Sequence, residues 1–296
     1  MQLLTIDHLT VYRYRRPVRF GEHRLMVRPR DSHDLRVVDS RLTIVPTPRM
    51  RWIHDVFGNS IALAEFDAEA DELRLQSRIV VEHYAGDVLD FPIEEYARSL
   101  PFAYPPDEVS DLGPTMGRQY PDPEHRVDAW VRRFLSDSGR TETQALLLAL
   151  TAAVRDELSY TWRTEPGVQT PGETLAKGSG SCRDFALLMM EAARSLGLAA
   201  RFVTGYLHDE TTAGGLPALQ GTGATHAWLD VYLPGAGWVE FDPTNGIAGG
   251  SNLIRVAVAR DPSQAVPIRG SFTGAPDDFL EMTVEVNVDP GNRLET

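Results

Sequence analysis

Cys182 is the only cysteine of the 296-residue chain and stands in GSGSCRDFALLMMEAARSLG, residues 178–197. Ser181 and Asp184 have the spacing of a helix N-cap followed by an acid in the first turn. Phe185, Leu188, Met189, Ala192 and Leu196 then form an apolar stripe that Gly197 ends. The thiol therefore falls in the first turn of a mostly buried helix, where unpaired N–H groups and the positive end of the helix dipole favour thiolate over thiol. Gly178 and Gly180 let the backbone approach closely, which leaves room for a substrate carbonyl. Two readings stay open: an inert buried residue, or a nucleophile.

A nucleophilic thiolate needs a base, and THAWLDVYLPGAGWVEFDPTNG, residues 225–246, contains a candidate. His226, Trp228, Asp230 and Tyr232 alternate with Ala227, Leu229, Val231 and Leu233. The return run sets Trp238, Glu240 and Asp242 against Val239 and Phe241. Matching the two apolar faces across a short loop around Pro234–Gly237 makes partners of residues whose numbers sum to 470. His226 then faces Thr244, and Asp242 faces Trp228. His226 and Asp242 become diagonal neighbours on the face away from the core, about 7–8 Å apart between backbones. A carboxylate so placed fixes a histidine's tautomer and steadies its cation. The ordinary alternatives are that Asp242 only starts the turn DPTNG and that His226 is a partly buried histidine.

These residues need elements to position them. From residue 5 to about 85 the chain runs in short alternating stretches, LTVYRY, LRVVDSRLTIV, SIALAEF and LRLQSRIVVEHY, with Gly58-Asn59 as a hairpin turn. This is a β-sandwich-like domain without obvious chemistry of its own. Residues 91–123 hold seven prolines (92, 101, 105, 106, 114, 121 and 123) and read as a linker and crossover. The boundary falls near 115, giving a β domain with its linker over 1–115 and a mixed core with the C-terminal strands over 116–296. In that core Val127, Trp130, Val131 and Phe134 recur at helical spacing, Thr141 and Gln144 open a helix as a capping box, and a Pro- and Gly-rich loop over 164–172 leads to Cys182. No internal repeat is present.

Hydrophobic content of 42% and charged content of 24% are those of an ordinary globular protein. No apolar run approaches a membrane span, and the N-terminus lacks the order of a secretory signal. With one free thiol, this predicts a cytoplasmic protein without a membrane partner. A net charge of -13 argues against a nucleic-acid partner. Residues 1–51 nevertheless carry eleven arginines against five acids, a net of +6 that leaves -19 for the rest. Such a face suits an acidic partner or the acidic second half, or is simply a solvated strand face. Lys177 is the only lysine.

Several chemistries fit poorly. Gly178-Ser-Gly180 lacks the rest of a phosphate-binding loop, and no G-x-S-x-G occurs. The eight histidines (8, 23, 33, 54, 83, 125, 208 and 226) show no H-x-x-x-H spacing, and no D-x-[DN]-x-[DN]-G calcium loop is present. No metal and no cofactor are expected.

The blocks GSGSCRDFA, LGLAARFVTGYL, THAWLDVYLPGAGWVEFDPTNG and IRVAVARDPSQAVP together resemble the bacterial transglutaminase-like proteins. Their core is a papain-like α+β fold with a Cys–His–Asp triad in that chain order. HLTVYRYRRPVRFGEHRLMVRPR and HDVFGNSIA are similar to the β domain that precedes this core in many members. The resemblance implies a cysteine-bearing helix packed on an antiparallel sheet, with Cys182 as nucleophile, His226 as general base and acid, and Asp242 orienting His226. Arg183 stands where many members have glutamine and receives no catalytic role. The implied chemistry is acyl transfer on an amide of a protein or peptide through a thioester. It ends in hydrolysis, as in a cysteine peptidase or amidase, or in protein-glutamine gamma-glutamyltransferase crosslinking; a non-catalytic binding module is a third reading. The oxyanion would take the Cys182 N–H and one further donor. Trp228, Trp238 and Tyr206 are candidates for the walls of an acyl tunnel, or else buried strand aromatics. A single lysine argues against self-crosslinking.

Overall fold

In a computed structural model of the chain, the described residues are 1–84, 92–163, 167–209 and 219–291. Residue 91 of the proline-rich segment, residues 164–166 of the loop before Cys182 and the last five residues lie outside them. The alternating runs form six strands: β1 (Gln2–Phe20), β2 (His23–Leu25), β3 (Leu35–Val45), β4 (Arg49–His54), β5 (Ser60–Glu65) and β6 (Glu69–His83). Five helices follow: α1 (Pro106–Met116), α2 (Arg126–Arg132), α3 (Thr143–Glu157), α4 (Pro171–Lys177) and α5 (Cys182–Ser195). The remaining long strands are β7 (Ala200–Leu207), β8 (His226–Leu233), β9 (Gly237–Asp242), β10 (Leu253–Ala259) and β11 (Phe279–Pro290).

The N-terminal region is a sandwich. One sheet carries β1 between β6 and β11, with β3 beyond β6; the other runs β4, β5, β2 and the short strand Ile268–Arg269. Tyr14, Val18, Phe20 and Leu73 of the first sheet meet Leu25, Ala62 and Ala64 of the second in a single apolar cluster. That arrangement satisfies the inward half of each alternating pattern.

The core is an antiparallel sheet in the order Ile247–Ala248, β9, β8, β7, β10, with α5 against it. Twelve of the 14 residues of α5 are buried. A helix buried almost all round is held by tertiary packing rather than by propensity. Its Leu187, Leu188 and Met189 share a cluster with Ala227, Leu229 and Val231 of β8. Its far end is locked by a buried ion pair, Arg194 Nη1 to Glu191 Oε1 at 2.8 Å, in which Arg194 also donates to the Thr115, Ala200 and Arg260 carbonyls.

Four expectations need correction. The proline-rich segment contains α1, which starts with Pro106 and includes Pro114; it has few apolar positions, and only Leu112 and Thr115 are buried. The N-cap of α3 is Glu142, whose carboxylate accepts from the Gln144 and Ala145 N–H groups, while Thr141 accepts from the Ser136 N–H. The C-terminal strands do not close the core: β11 pairs with β1 from Leu4↔Pro290 to Tyr14↔Phe279, and Ile268–Arg269 and Phe272–Thr273 also join the sandwich sheets. β1 has an edge that β6 does not cover, and the strict alternation of Val284, Val286 and Val288 suits it. Finally, the His226 face of β8 is not on the outside. Phe57 of the sandwich and Leu219 cover it around Trp228, so at this end of the sheet the second face is buried too.

Candidate active site

The turn before α5 is fixed by one buried acid. Asp184 accepts from the Ser181 N–H at 2.8 Å, the Ser181 hydroxyl at 2.9 Å and the Gln169 N–H at 2.6 Å, and Arg163 Nη1 lies 3.0 Å from both its oxygens. A charge with no solvent exposure is tolerable only when saturated in this way. Gly180 is needed for packing, because a Cβ there would lie 2.9 Å from the Asp184 Cβ. The two-residue strand Ser179–Gly180 pairs in parallel with Ser159–Tyr160, which brings Tyr160 alongside the helix start. Burial raises the Tyr160 phenol above its ordinary pKa, and the negative charges of Cys182 and Asp242 push it the same way, so this hydroxyl keeps its proton in the field of both. Arg183 points elsewhere: it donates to the Pro262 and Ala265 carbonyls at 2.7 and 3.3 Å and lies 4.9 Å over the Phe202 ring.

The hairpin follows the register read from the sequence, with Leu229↔Phe241, Asp230↔Glu240, Val231↔Val239, Tyr232↔Trp238 and Leu233↔Gly237 as partners. Beyond its last regular pair, His226 Nε2 meets Asp242 Oδ2 at 2.8 Å, diagonally across the strands. The same carboxylate starts the turn: Oδ1 accepts from the Thr244 N–H at 2.9 Å, and Oδ2 accepts from Asn245 Nδ2 at 2.8 Å. Asp242 thus does both jobs that the sequence offered as alternatives. Burial works against a cation at His226, but the Asp242 charge and hydrogen bond outweigh it, and Cys182 adds to them, so the imidazole is pushed up to about 10. Burial likewise opposes ionisation of Asp242, and the His226 charge reverses that, holding the carboxyl below its usual range. With Nε2 on Asp242, the nitrogen left for the Cys182 thiol is Nδ1, which makes no hydrogen bond of standard length and angle inside the protein.

Access is narrow. Cys182 is 7% exposed, His226 1% and Asp242 not at all. Gly221 lies directly on the imidazole: a Cβ there would be 2.6 Å from His226 Nδ1, and its φ of +92° already disfavours a side chain. Asn245 ties this loop to the acid, because besides Asp242 it bonds the Gln220 N–H and carbonyl at 2.8 and 3.2 Å.

The three expected wall residues are not assembled at the cysteine. Trp228 is fully buried and stacks on His226 at 6.1 Å between ring centroids. Tyr206 is 1% exposed, and its hydroxyl bonds His8 Nδ1 and the Val27 carbonyl, which makes it part of the sandwich junction. Trp238 pairs with Tyr232, six residues from His226 along the strand and so about 20 Å away; it packs under Arg201 at 4.2 Å beside a separate cavity of about 670 Å³. Sequence reasoning missed Asp184 as more than a cap, and it missed Tyr160, Gly221 and Asn245 altogether. Only Asn245 had a local signal, its place in the turn DPTNG. Among the described residues no group of three or more His, Cys, Asp or Glu side chains is arranged to hold a metal ion.

Comparison with known proteins agrees with this architecture. The family model of the bacterial transglutaminase-like N-terminal region matches residues 4–82, and that of the transglutaminase-like superfamily matches residues 129–243. An uncharacterised protein of Mycobacterium leprae is 28% identical over 291 residues, covering 97% of this chain and 99% of its own. A protein-glutamine gamma-glutamyltransferase of Pseudomonas aeruginosa is 36% identical over 70 residues, 24% of this chain and 10% of that one. The crystal structure of a candidate cysteine protease from Cytophaga hutchinsonii superposes with a TM-score of 0.69 at 18% identity, covering 100% of this chain and 91% of that one, and so shares the fold.

Proposed function

Since the chain belongs to the transglutaminase-like superfamily, we propose that it is a thiol-dependent amide hydrolase acting on a protein or peptide, with Cys182, His226 and Asp242 as its triad. The observation that carries this reading is the buried 2.8 Å pair of His226 and Asp242, with its free imidazole nitrogen beside a thiol at a helix N-terminus. A histidine held cationic to about pH 10 supplies the countercharge that a thiolate needs.

In the first half-reaction the Cys182 sulfur bonds to the amide carbon, and the carbonyl oxygen takes the electron pair. The Cys182 N–H and the Tyr160 phenol, the donor that the sequence left unplaced, stabilise that oxyanion. His226 Nδ1 gives its proton to the amine nitrogen, the C–N bond breaks and a thioester remains. In the second half-reaction His226 takes a proton from water, the hydroxide oxygen bonds to the thioester carbon, and Cys182 leaves as thiolate while His226 stays protonated. Asp242 keeps the imidazole turned with Nδ1 forward throughout. A second reading replaces water by a primary amine; its ground is the name of the Pseudomonas aeruginosa relative.

The test is the rate of Cys182 alkylation by iodoacetamide against pH, in wild type and in His226→Ala. An isolated thiol ionises near pH 8.5. The expected outcome is fast alkylation down to pH 6 in the wild type and a rate that follows the ordinary thiol in the variant. A wild-type profile like that of an isolated thiol, unchanged in His226→Ala, overturns the triad. Incorporation of a fluorescent primary amine into a glutamine-bearing protein would decide for transfer over hydrolysis.

A further inference from the structure

We propose that the groove between the sandwich and the 262–266 turn is a subsite for an acidic side chain of the amide substrate; this rests on the hydrolase reading above. The groove has a volume of about 620 Å³, and its lining includes Arg24, His54, Asp55 and Phe57 of the sandwich together with Gln264 and Arg269. Arg24 and Arg269 are direct cross-strand partners at the sandwich edge. Like charges directly opposite on a sheet repel, so this pairing works against the fold unless something anionic sits over it. The sheet continues the row through Leu63 to Arg51. Arg51 is neutralised by Glu22 at 3.2 Å, whereas among the described residues Arg24 pairs only with Asp55, at 3.7 Å. Asp55 is mostly spent within its own loop, where it accepts from the Phe57 and Asn59 N–H groups and from Asn59 Nδ2, each at 2.9 Å. Arg269 is exposed and pairs with no acid among the described residues.

The groove is joined to the reacting groups at both walls. Arg183, the residue after Cys182, grips the Pro262 and Ala265 carbonyls, and Ser263 and Gln264 lie between those two. Phe57 packs against the cluster containing Cys182 and against the cluster containing Trp228, which stacks on His226. The walls are also fixed relative to each other, because Asn59 Nδ2 and Oδ1 bond the Val258 carbonyl and N–H at 2.7 and 2.9 Å. On this reading, a peptide whose amide lies at Cys182 presents a neighbouring aspartate or glutamate to the Arg24–Arg269 pair.

The probe is a fluorescein-labelled hexaglutamate peptide, with hexaglutamine as control, titrated by fluorescence anisotropy against the full chain carrying Cys182→Ser. Binding needs no turnover, so its result is independent of the alkylation profile. The expected result is that hexaglutamate binds in preference to hexaglutamine. Arg24→Ala with Arg269→Ala should weaken it by about tenfold or more, while Arg24→Lys with Arg269→Lys retains most of it. In a chain that keeps Cys182, the alanine pair should leave the alkylation rate unchanged, which shows an intact fold. Equal binding of the two peptides, or no loss in the alanine pair, overturns the subsite while the triad can still stand. Binding of phosphatidylglycerol vesicles through the same arginines without hexaglutamate binding would overturn it in favour of a lipid surface.

Discussion

Two ionisable pairs lie on the same hairpin, four residues apart along β8, and their chemistry is opposite. At the open end, His226 and Asp242 are fully buried, diagonal and oppositely charged, and each strengthens the other's ionisation. About 13 Å along the strand, Asp230 and Glu240 are also buried but sit directly opposite each other as two acids. Burial first, and then the Asp230 charge, push the Glu240 carboxyl far above its usual range. Arginines from neighbouring strands hold this second pair: Arg201 meets Asp230 at 2.8 Å, and Arg255 meets Glu240 at 3.0 Å and Asp34 at 3.4 Å. A strong shift in proton affinity thus appears at both places, yet only one of them has a thiol beside it. Perturbation alone does not mark chemistry; the geometry toward a reacting atom does.

The largest effect expected from this contrast is on Cys182 itself. Asp242→Asn should lower the alkylation rate at pH 6 by about 100-fold, because the imidazole loses the charge that keeps it cationic; Asp230→Asn should leave it within about twofold. Equal losses in the two variants would erase the distinction. Gly221→Ala should cut the rate by about tenfold at unchanged secondary structure by circular dichroism, since the new Cβ must displace His226 Nδ1. Stability should separate the pairs as well. His226 is raised in the fold, so its contribution is complete below about pH 6.5, the unfolded value, and fades as pH climbs toward 10. The advantage of wild type over Asp242→Asn in urea denaturation should shrink across that window, by at most about 1.4 kcal/mol per pH unit. Glu240 is a raised acid, so the wild type loses stability as pH rises above the unfolded carboxyl value. Glu240→Gln escapes that loss and should gain on the wild type between the unfolded carboxyl value and about pH 8, by at most about 1.4 kcal/mol per pH unit and less for whatever the lost Arg255 contact costs.

The parts of this site that were legible in the sequence are those with short-range grammar. Ser181 and Asp184 mark the start of α5, and the alternation through 226–242 around a short turn fixes which residues oppose one another, so the His226–Asp242 diagonal follows from counting. Tyr160 could not be read that way. It reaches the helix through a two-residue parallel pairing with Ser179–Gly180, too short to leave a pattern. Gly221 is likewise silent, since its importance lies in the ring it touches. The burial of the outer face of β8 is hidden for a related reason: the residues that cover it, Phe57 and Leu219, come from the sandwich and a loop, far from β8 in sequence or outside any regular pattern. Tyr206 and Trp238 look alike in one dimension, as aromatic residues in neighbouring strands; their partners, His8 and Arg201, divide them and take both away from the site.

The return of β11 to β1 sets the order in which the molecule can be completed. Leu4 pairs with Pro290, so this edge of β1 stays open until β11, made after the whole of the core, is available to close it. Until then a long apolar edge is open to wrong partners, and the helix carrying Cys182 has already been made. Such a distant pairing is slow to form, and it encloses the whole core within one loop of the sandwich. The two regions should therefore unfold in a single transition, and a chain truncated before Phe279 should aggregate rather than yield a free catalytic core.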